Sequence, residues 1–293
     1  MNELNRRRTY KIISVIILIV LALLFLFPLY WIVTGAFKTA VEYNSVKPVW
    51  WPSEWTMDNF TRLFDRRSAP LFEIFGMEGP TVPAAIRWLV NTVFMSVSAM
   101  ILTCITASMA GYALAKKRFV GRTLIFSLIV CAMALPKQVI LIPLIKEISF
   151  LGLYDNIWAV ILPTVGWPFG VFLMKQFSES IPGEILEAAR VDGASELRTF
   201  ATIVVPMVKP GIGALAIFTF INSWNDYFMQ LIMLTSGKNY TISLGIATLQ
   251  AETSVDIGIM MAGAALASIP IIVVFLIFQK YFTKGITMGA VKG

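Results

Sequence analysis

Histidine is absent from this 293-residue chain. Its absence removes the commonest general base and the commonest nitrogen ligand for metals. Ser-His-Asp catalysis, HExxH metalloproteolysis and the usual zinc sites go with it. Cysteine is nearly absent: Cys104 and Cys131 lie inside apolar runs, where thiols behave as small hydrophobes, and their spacing fits no metal motif. No G-x-x-x-x-G-K-[ST] loop occurs, nor a glycine-rich strand-to-helix turn able to hold phosphates, so the chain is not itself an ATPase. Charge is also scarce. Only 14% of residues are Asp, Glu, Lys or Arg, where soluble domains carry about a quarter. Internal repeats and low-complexity tracts are missing.

Apolar length takes the place of charge. Hydrophobic residues make up 57% of the chain, and the mean hydropathy is +0.76. These values point to an all-α polytopic membrane protein. A membrane helix needs about 20 apolar residues. Runs of that order predict six spans, at about 12–37, 88–115, 123–145, 156–176, 210–234 and 257–281, in a single membrane domain over residues 1–293. The third is broken by Lys137 and the fifth by Asp226. The first follows "NRRRTYK" but is too long for a signal-peptide core and has no A-x-A-like cleavage site. It reads as an uncleaved anchor.

The net charge of +7 then acquires a topological meaning. With the N-terminus inside, Arg6, Arg7, Arg8 and Lys11 are cytoplasmic, as are Lys116, Lys117, Arg118 and Arg122. Lys175, Arg190, Arg198 and Lys209 follow, then Lys280, Lys284 and Lys292. The outer connections after spans three and five hold little beyond Lys146 and Lys238. Both termini are expected in the cytoplasm, and no nucleic-acid partner is needed to explain the charge.

Two polar insertions stand out. The outer loop 38–87 contains "VWWPSEWTMDNFTRLF". It reads either as an aromatic belt on the headgroups or as a small docking surface. The cytoplasmic loop 178–209 is the other. Ser180 is a candidate N-cap, Pro182 suits a first turn, Glu184 and Glu187 favour the helix dipole, and Gly193 is a left-handed stop. These signals predict a helix from about 182 to 191. At 100° per residue, Ile185, Ala188, Ala189 and Asp192 share one face, flat enough for another protein to approach. A second helix starts at 194 or 195 and stops at Pro206. The competing reading is an amphipathic helix on the inner leaflet, which four acids in the segment (Glu184, Glu187, Asp192, Glu196) disfavour.

"EAARVDGA", followed by Ile203, Pro206, Pro210 and Gly211, resembles the EAA loop of binding-protein-dependent ABC importer permeases. The family pattern is E-A-A-x-x-D-G-A, then roughly I-x-L-P, then P-G; Val205 stands where leucine is usual. "FPLYWIVTGAFK", "NTVFMSVSAMILTCITASMAGYALAKKRF", "SWNDYF" and the ending "QKYFTKGITMGAVKG" extend the resemblance over nearly the whole chain. They look like the carbohydrate-importer branch, most similar to the six-span partner of the maltose-transporter type. The resemblance implies a type I importer fold in a bacterial or archaeal plasma membrane. It implies that Glu184, Glu187, Ala188, Ala189, Asp192, Gly193 and Ala194 form a coupling helix seated on a cytoplasmic ATPase. It implies a second, homologous permease subunit, two ATPase subunits that bind ATP and Mg, and an extracellular or periplasmic solute-binding protein. The substrate it implies is a sugar, an oligosaccharide or a derivative.

For the pathway itself, polar groups inside spans are the candidates, because they are costly there. These are Asn222, Trp224, Asn225 and Asp226 in span five, Lys137 in span three and Asn91 in span two. Asp226 reads either as a carboxylate at a helix end or as part of a cavity wall. Lys137 either snorkels outward or faces the cavity toward Asp226 or an anionic substrate. Breaks at Pro163, Gly166, Pro168 and Gly170 would let span four bend around a path. A secondary carrier would leave the EAA-like loop without a purpose. A membrane enzyme would lack both histidine and a convergent carboxylate pair. An importer of amino acids, peptides or oxyanions remains the alternative of the same architecture.

Overall fold

The computed structural model describes the backbone of residues 3–74, 77–252 and 256–290, and side chains within 10–73, 77–250 and 256–279. Arg6, Arg7, Arg8, Lys280, Lys284 and Lys292, which contribute to the expected orientation, lie outside the described side chains.

In chain order the elements are α1 (Glu3–Ala36), α2 (Ala40–Tyr43), α3 (Asp58–Asp65), β1 (Ser68–Pro70), β2 (Glu73–Ile74), β3 (Met77–Glu78) and β4 (Thr81–Pro83). Then follow α4 (Ala84–Lys116), α5 (Arg122–Ala132), α6 (Leu141–Phe150), α7 (Trp158–Val165), α8 (Pro168–Glu179), α9 (Gly183–Val191) and α10 (Glu196–Thr199). A π-helical turn, Phe200–Val204, leads into α11 (Val205–Met207), α12 (Lys209–Asn225) and α13 (Tyr227–Met233). A 3₁₀ turn, Gly237–Asn239, precedes α14 (Ile242–Glu252) and α15 (Ile257–Ala290).

Among the described residues, four stretches are long and apolar enough to cross a membrane: Tyr10–Ala36, Ala84–Lys116, Trp158–Glu179 and Ile257–Gln279. A fifth, Glu196–Met207 with Lys209–Asn225, qualifies only as a pair bent by 80°. The predicted third span differs from expectation. It is two short helices, α5 and α6, separated by residues 133–140. Proline explains the break: Pro136 lacks an amide hydrogen and disfavours helical backbone at the preceding residue. Eleven residues of α5 rise about 16 Å, and a hydrocarbon core is about 30 Å thick. Neither piece spans by itself.

The chain divides into two compact units, residues 1–87 with 245–269 and residues 88–244 with 270–293. In the first, loop 38–87 is organised by Asn59, which is buried. Its amide donates to the carbonyls of Ala36 (3.0 Å) and Lys38 (2.8 Å), and its oxygen accepts from Arg62 (2.6 Å). Arg62 in turn pairs with Asp256 at 2.5 Å. Glu42 fixes the turn before α3. Burial opposes its ionisation, yet hydrogen bonds from the Ser53 hydroxyl and amide and from Thr39 outweigh that and hold its carboxyl at about 2. Rings of Phe27, Tyr30 and Trp31 meet those of Trp50 and Trp51 at centroid distances of 5.8–6.4 Å. One feature departs from an all-α chain: β1 pairs with β4 and β2 with β3 in a small antiparallel hairpin, in register Ser68↔Pro83 and Glu73↔Glu78. Strands of two or three residues leave no alternating pattern to read.

In the second unit, one core gathers Met95, Ala99, Ile148, Val160, Ile161 and Met233. A second gathers Ala107, Tyr112, Met174, Ile181, Leu186, Val204 and Leu215. Small residues let the helices meet closely there. A Cβ on Gly111 of α4 would lie 2.6 Å from the Lys175 nitrogen, and one on Gly211 of α12 would lie 2.5 Å from the Phe177 ring. Both α4 and α12 therefore approach α8 at distances only glycine permits.

Candidate functional site

The loop expected in the cytoplasm begins where α8 ends. Ser180 does not cap α9 as expected. It closes α8 instead, its hydroxyl donating to the Phe177 carbonyl (2.8 Å), and the N-cap position is Pro182, with extended backbone. Pro182 supplies no side-chain acceptor, so the acidic Glu184 in the first turn is what complements the free amides there.

The far end of α9 is built by the motif residues themselves. Gly193 adopts φ +73°, with its amide donating to the Arg190 carbonyl (3.0 Å), and the Ala194 amide donates to the Ala189 carbonyl (2.9 Å). Together these are the two bonds of a Schellman stop. Glycine is needed because its backbone is left-handed; open space surrounds its missing side chain. Ala189 and Ala194 are the positions whose side chains meet in such a stop, so small residues there let the turn close tightly. Ser195 then caps α10, accepting from the Arg198 amide at 3.3 Å.

The face of α9 expected to be open to another protein is free within the chain except at Ala189. Leu186 and Ala189 are buried, three residues apart, whereas Ile185, Ala188 and Asp192 are exposed. Leu186 sits in the cluster with Ile181, Val204 and Val208, and this apolar seat decides the rotation of the helix. The free face presents Glu184, Glu187, Ala188 and Val191, with Val191 88% exposed. Among the described residues, Glu184, Glu187 and Asp192 have no side-chain partner. Pro206 does not end the second helix either. The helix widens into π geometry over Phe200–Val204 and continues to Met207, and the 80° bend falls between Met207 and Lys209.

The predicted pathway residues separate into two groups. Lys137, Asn222 and Asp226 converge on a cavity of about 70 Å³, with Trp167, Thr164 and Pro163 of the α7–α8 segment. Lys137 pairs with Asp226 at 2.6 Å, and the carboxylate is the more enclosed partner, 11% exposed against 47%. Asp226 also interrupts α12 and caps α13, so it is both a helix-end carboxylate and a wall of the cavity. Trp224, Asn225 and Asn91 are elsewhere. Trp224 is buried and stacked on Phe220 (5.4 Å), which leaves no face for a ligand. Asn225 is exposed and donates to the Ile221 carbonyl at 3.0 Å. Asn91 is buried and donates to the Lys238 (2.9 Å) and Tyr240 (3.0 Å) carbonyls, clamping a loop. That loop is held from another side by Asp155. Its carboxylate accepts from the Thr235 and Ser236 amides at 2.7 and 2.9 Å; these bonds, working against burial, hold it below its ordinary pKa.

Trp167 is the aromatic residue that the sequence reading missed. It stands with extended backbone between α7 and α8, 4.9 Å from the Phe169 ring. The Gly166–Pro168 break was the available signal, since an interrupted helix turns its broken segment toward a cavity. No group of three or more Cys, Asp or Glu able to hold a metal occurs among the described residues.

The chain as a whole is similar to known proteins. The family described as "Binding-protein-dependent transport system inner membrane component" matches residues 105–288. The chain is 32% identical to the arabinooligosaccharides transport system permease protein of Halalkalibacterium halodurans, over 98% of this chain and 100% of the relative. It is also 32% identical to the maltodextrin transport system permease protein of Bacillus subtilis, over 100% of both. Among solved structures, a bacterial ABC transporter involved in the import of the acidic polysaccharide alginate shares its fold. The TM-score is 0.75 at 23% identity, covering 94% of this chain and 97% of that one.

Proposed function

This chain belongs to the family of binding-protein-dependent transport system inner membrane components, and we propose that it carries an oligosaccharide and is driven through α9. It is a multi-pass membrane permease component of an ABC importer and not the ATPase. The observation that carries the coupling assignment is the Schellman stop at Gly193: it gives α9 a fixed end and leaves Glu184, Glu187, Ala188 and Val191 turned outward without partners of their own. A cytoplasmic ATPase is the partner that fits. Its closure would displace α9, and α9 would pass the motion to α8 and α12 as a rigid-body switch between two arrangements.

The remaining assembly is a second, homologous permease subunit, two ATPase subunits and an external solute-binding protein, with both termini of this chain in the cytoplasm. An oligosaccharide is favoured because the relatives named above are permeases for arabinooligosaccharides and maltodextrin. The cavity at Lys137, Asn222, Asp226 and Trp167 is a segment of the pathway, closed in this conformation. Its volume of about 70 Å³ is well below the ~300 Å³ of a ligand-sized pocket.

The reconstituted importer tests the coupling assignment. Gly193→Asp or Glu187→Lys should abolish transport and leave membrane insertion intact. Normal transport by either variant with a fully active ATPase would refute it. Ligand-binding measurements on the cognate solute-binding protein test the substrate: selective binding of amino acids or oxyanions rather than oligosaccharides would overturn that half.

A further inference from the structure

Lys116 is the last residue of α4 and Lys117 follows it, both outside the motif that marks the coupling loop. As sequence they are two more positive charges on the cytoplasmic side. In the structure they point in different directions, to opposite ends of α9. The Lys116 ammonium donates to the carbonyls of Glu179 (3.0 Å) and Ile181 (2.6 Å), the last residues before Pro182 and the start of α9. A cation there also complements the free carbonyls that end α8. The Lys117 ammonium pairs with the Glu196 carboxylate, just past the Schellman stop, and lies 5.2 Å above the Tyr112 ring. The other Glu196 oxygen is 4.0 Å from Arg190 of α9 itself. The Glu196 carboxyl is held below its ordinary pKa, first by the hydrogen bond from Lys117.

About one and a half turns before the lysines, Gly111 places the α4 backbone directly against Met174 and Lys175 of α8. Tyr112 is buried in the cluster that also seats Leu186 of α9. The end of α4 is therefore packed beneath the coupling helix and hydrogen-bonded to the chain on both sides of it.

We propose that Lys116 and Lys117 are positioning residues for coupling: they clamp the segments entering and leaving α9 to α4, making α4 a third helix that moves with it. This rests on the coupling reading of α9. Without the clamp, α9 can still be displaced by the ATPase, but less of that motion reaches the membrane helices.

The quantity to read is solute transported per ATP hydrolysed, in the complete importer reconstituted with its binding protein and matched for assembly. Lys117→Glu should lower this ratio about tenfold, and so should Glu196→Lys, while the exchanged pair K117E/E196K should return to within about twofold of the parent. Lys116→Met should lower the ratio as well. Lys117→Gln, which removes the charge without reversing it, is scored in the same way should Lys117→Glu fail to assemble. An unchanged ratio in the Lys117 variant overturns the proposal, and so does an exchanged pair as uncoupled as either single variant. Gly193→Asp separates the two readings. If it abolishes transport while the Lys117 variants couple normally, the clamp fails and the coupling helix stands.

Discussion

Lys137 and Asp226 interrupt otherwise apolar runs, and they neutralise one another. A carboxylate that is 11% exposed, left without its cation, would keep only the Met229 amide at 3.4 Å. Exposed pairs contribute about 0–1 kcal/mol, whereas removing one partner of a buried pair costs about 3–5 kcal/mol. Lys137 is half-exposed, so Lys137→Met should destabilise by an intermediate amount, about 1–3 kcal/mol. Asp226→Asn on top of it should recover most of that loss, because the enclosed charge is gone. Thermal unfolding of the purified complex through the four-member cycle measures this. Additive losses would show that the two charges do not depend on each other.

At the scale of elements, the π-helical turn before Pro206 sets how the α9–α10 loop, proposed to couple to the ATPase, joins α12. In an α-helix the Pro206 ring would clash with the carbonyl of Thr202, and the amide it lacks would leave that carbonyl unbonded. Widening the turn over Phe200–Val204 moves the carbonyls out of the way and lets the helix run on to Met207. Pro206→Ala removes the reason for the wider turn. Proline in a helix interior costs about 3 kcal/mol, so the variant should be at least as stable as the parent. Reverting to α geometry absorbs one residue, which rotates the preceding helix by about 100° relative to α12. Transport should therefore fall about tenfold or more while Tm holds or rises, a separation characteristic of sites that exchange stability for function. Unchanged transport would mean that the wide turn is incidental.

The same elements show what could be read without coordinates. The ends of α9 were legible because their signals are local: acids in the first turn and a glycine free to turn left-handed. Which face α9 buries was not legible. Leu186, Ala188 and Ala189 offer overlapping apolar stripes, and the choice is made by Ile181, Val204 and Val208 from other elements. Asn222, Asp226 and Lys137, which line one cavity, stand out in the sequence because polarity in an apolar run is conspicuous. Trp167 was missed, since an aromatic residue in such a run looks like any other, and Trp224 was overestimated for the converse reason. Its polar neighbours suggested a cavity where there is core.

At the scale of the whole molecule, every described residue from Tyr10 to Pro28 is exposed within the chain. A helix so apolar is covered by lipid or by another membrane subunit. The described basic side chains bear on the direction in which the chain crosses the membrane. Lys116, Lys117, Arg118 and Arg122 bracket the α4–α5 turn, and Lys175, Arg190, Arg198 and Lys209 accompany the α8–α12 connection. The positive-inside rule predicts both in the cytoplasm under the proposed topology, with loop 38–87 on the other side. Three valines offer nearly ideal reporters: Val46 in the outer loop is 101% exposed, Val120 in the α4–α5 turn 102%, and Val191 on α9 88%. In a background with Cys104 and Cys131 replaced, Val46→Cys should react with an impermeant maleimide in intact cells. Val120→Cys and Val191→Cys should react only after permeabilisation. Assembly with the ATPase should then protect Val191→Cys and leave Val120→Cys reactive, since only α9 is taken to be seated on it. Labelling of Val120→Cys from outside would invert the topology. Equal reactivity of Val191→Cys with and without the ATPase would remove α9 from the interface.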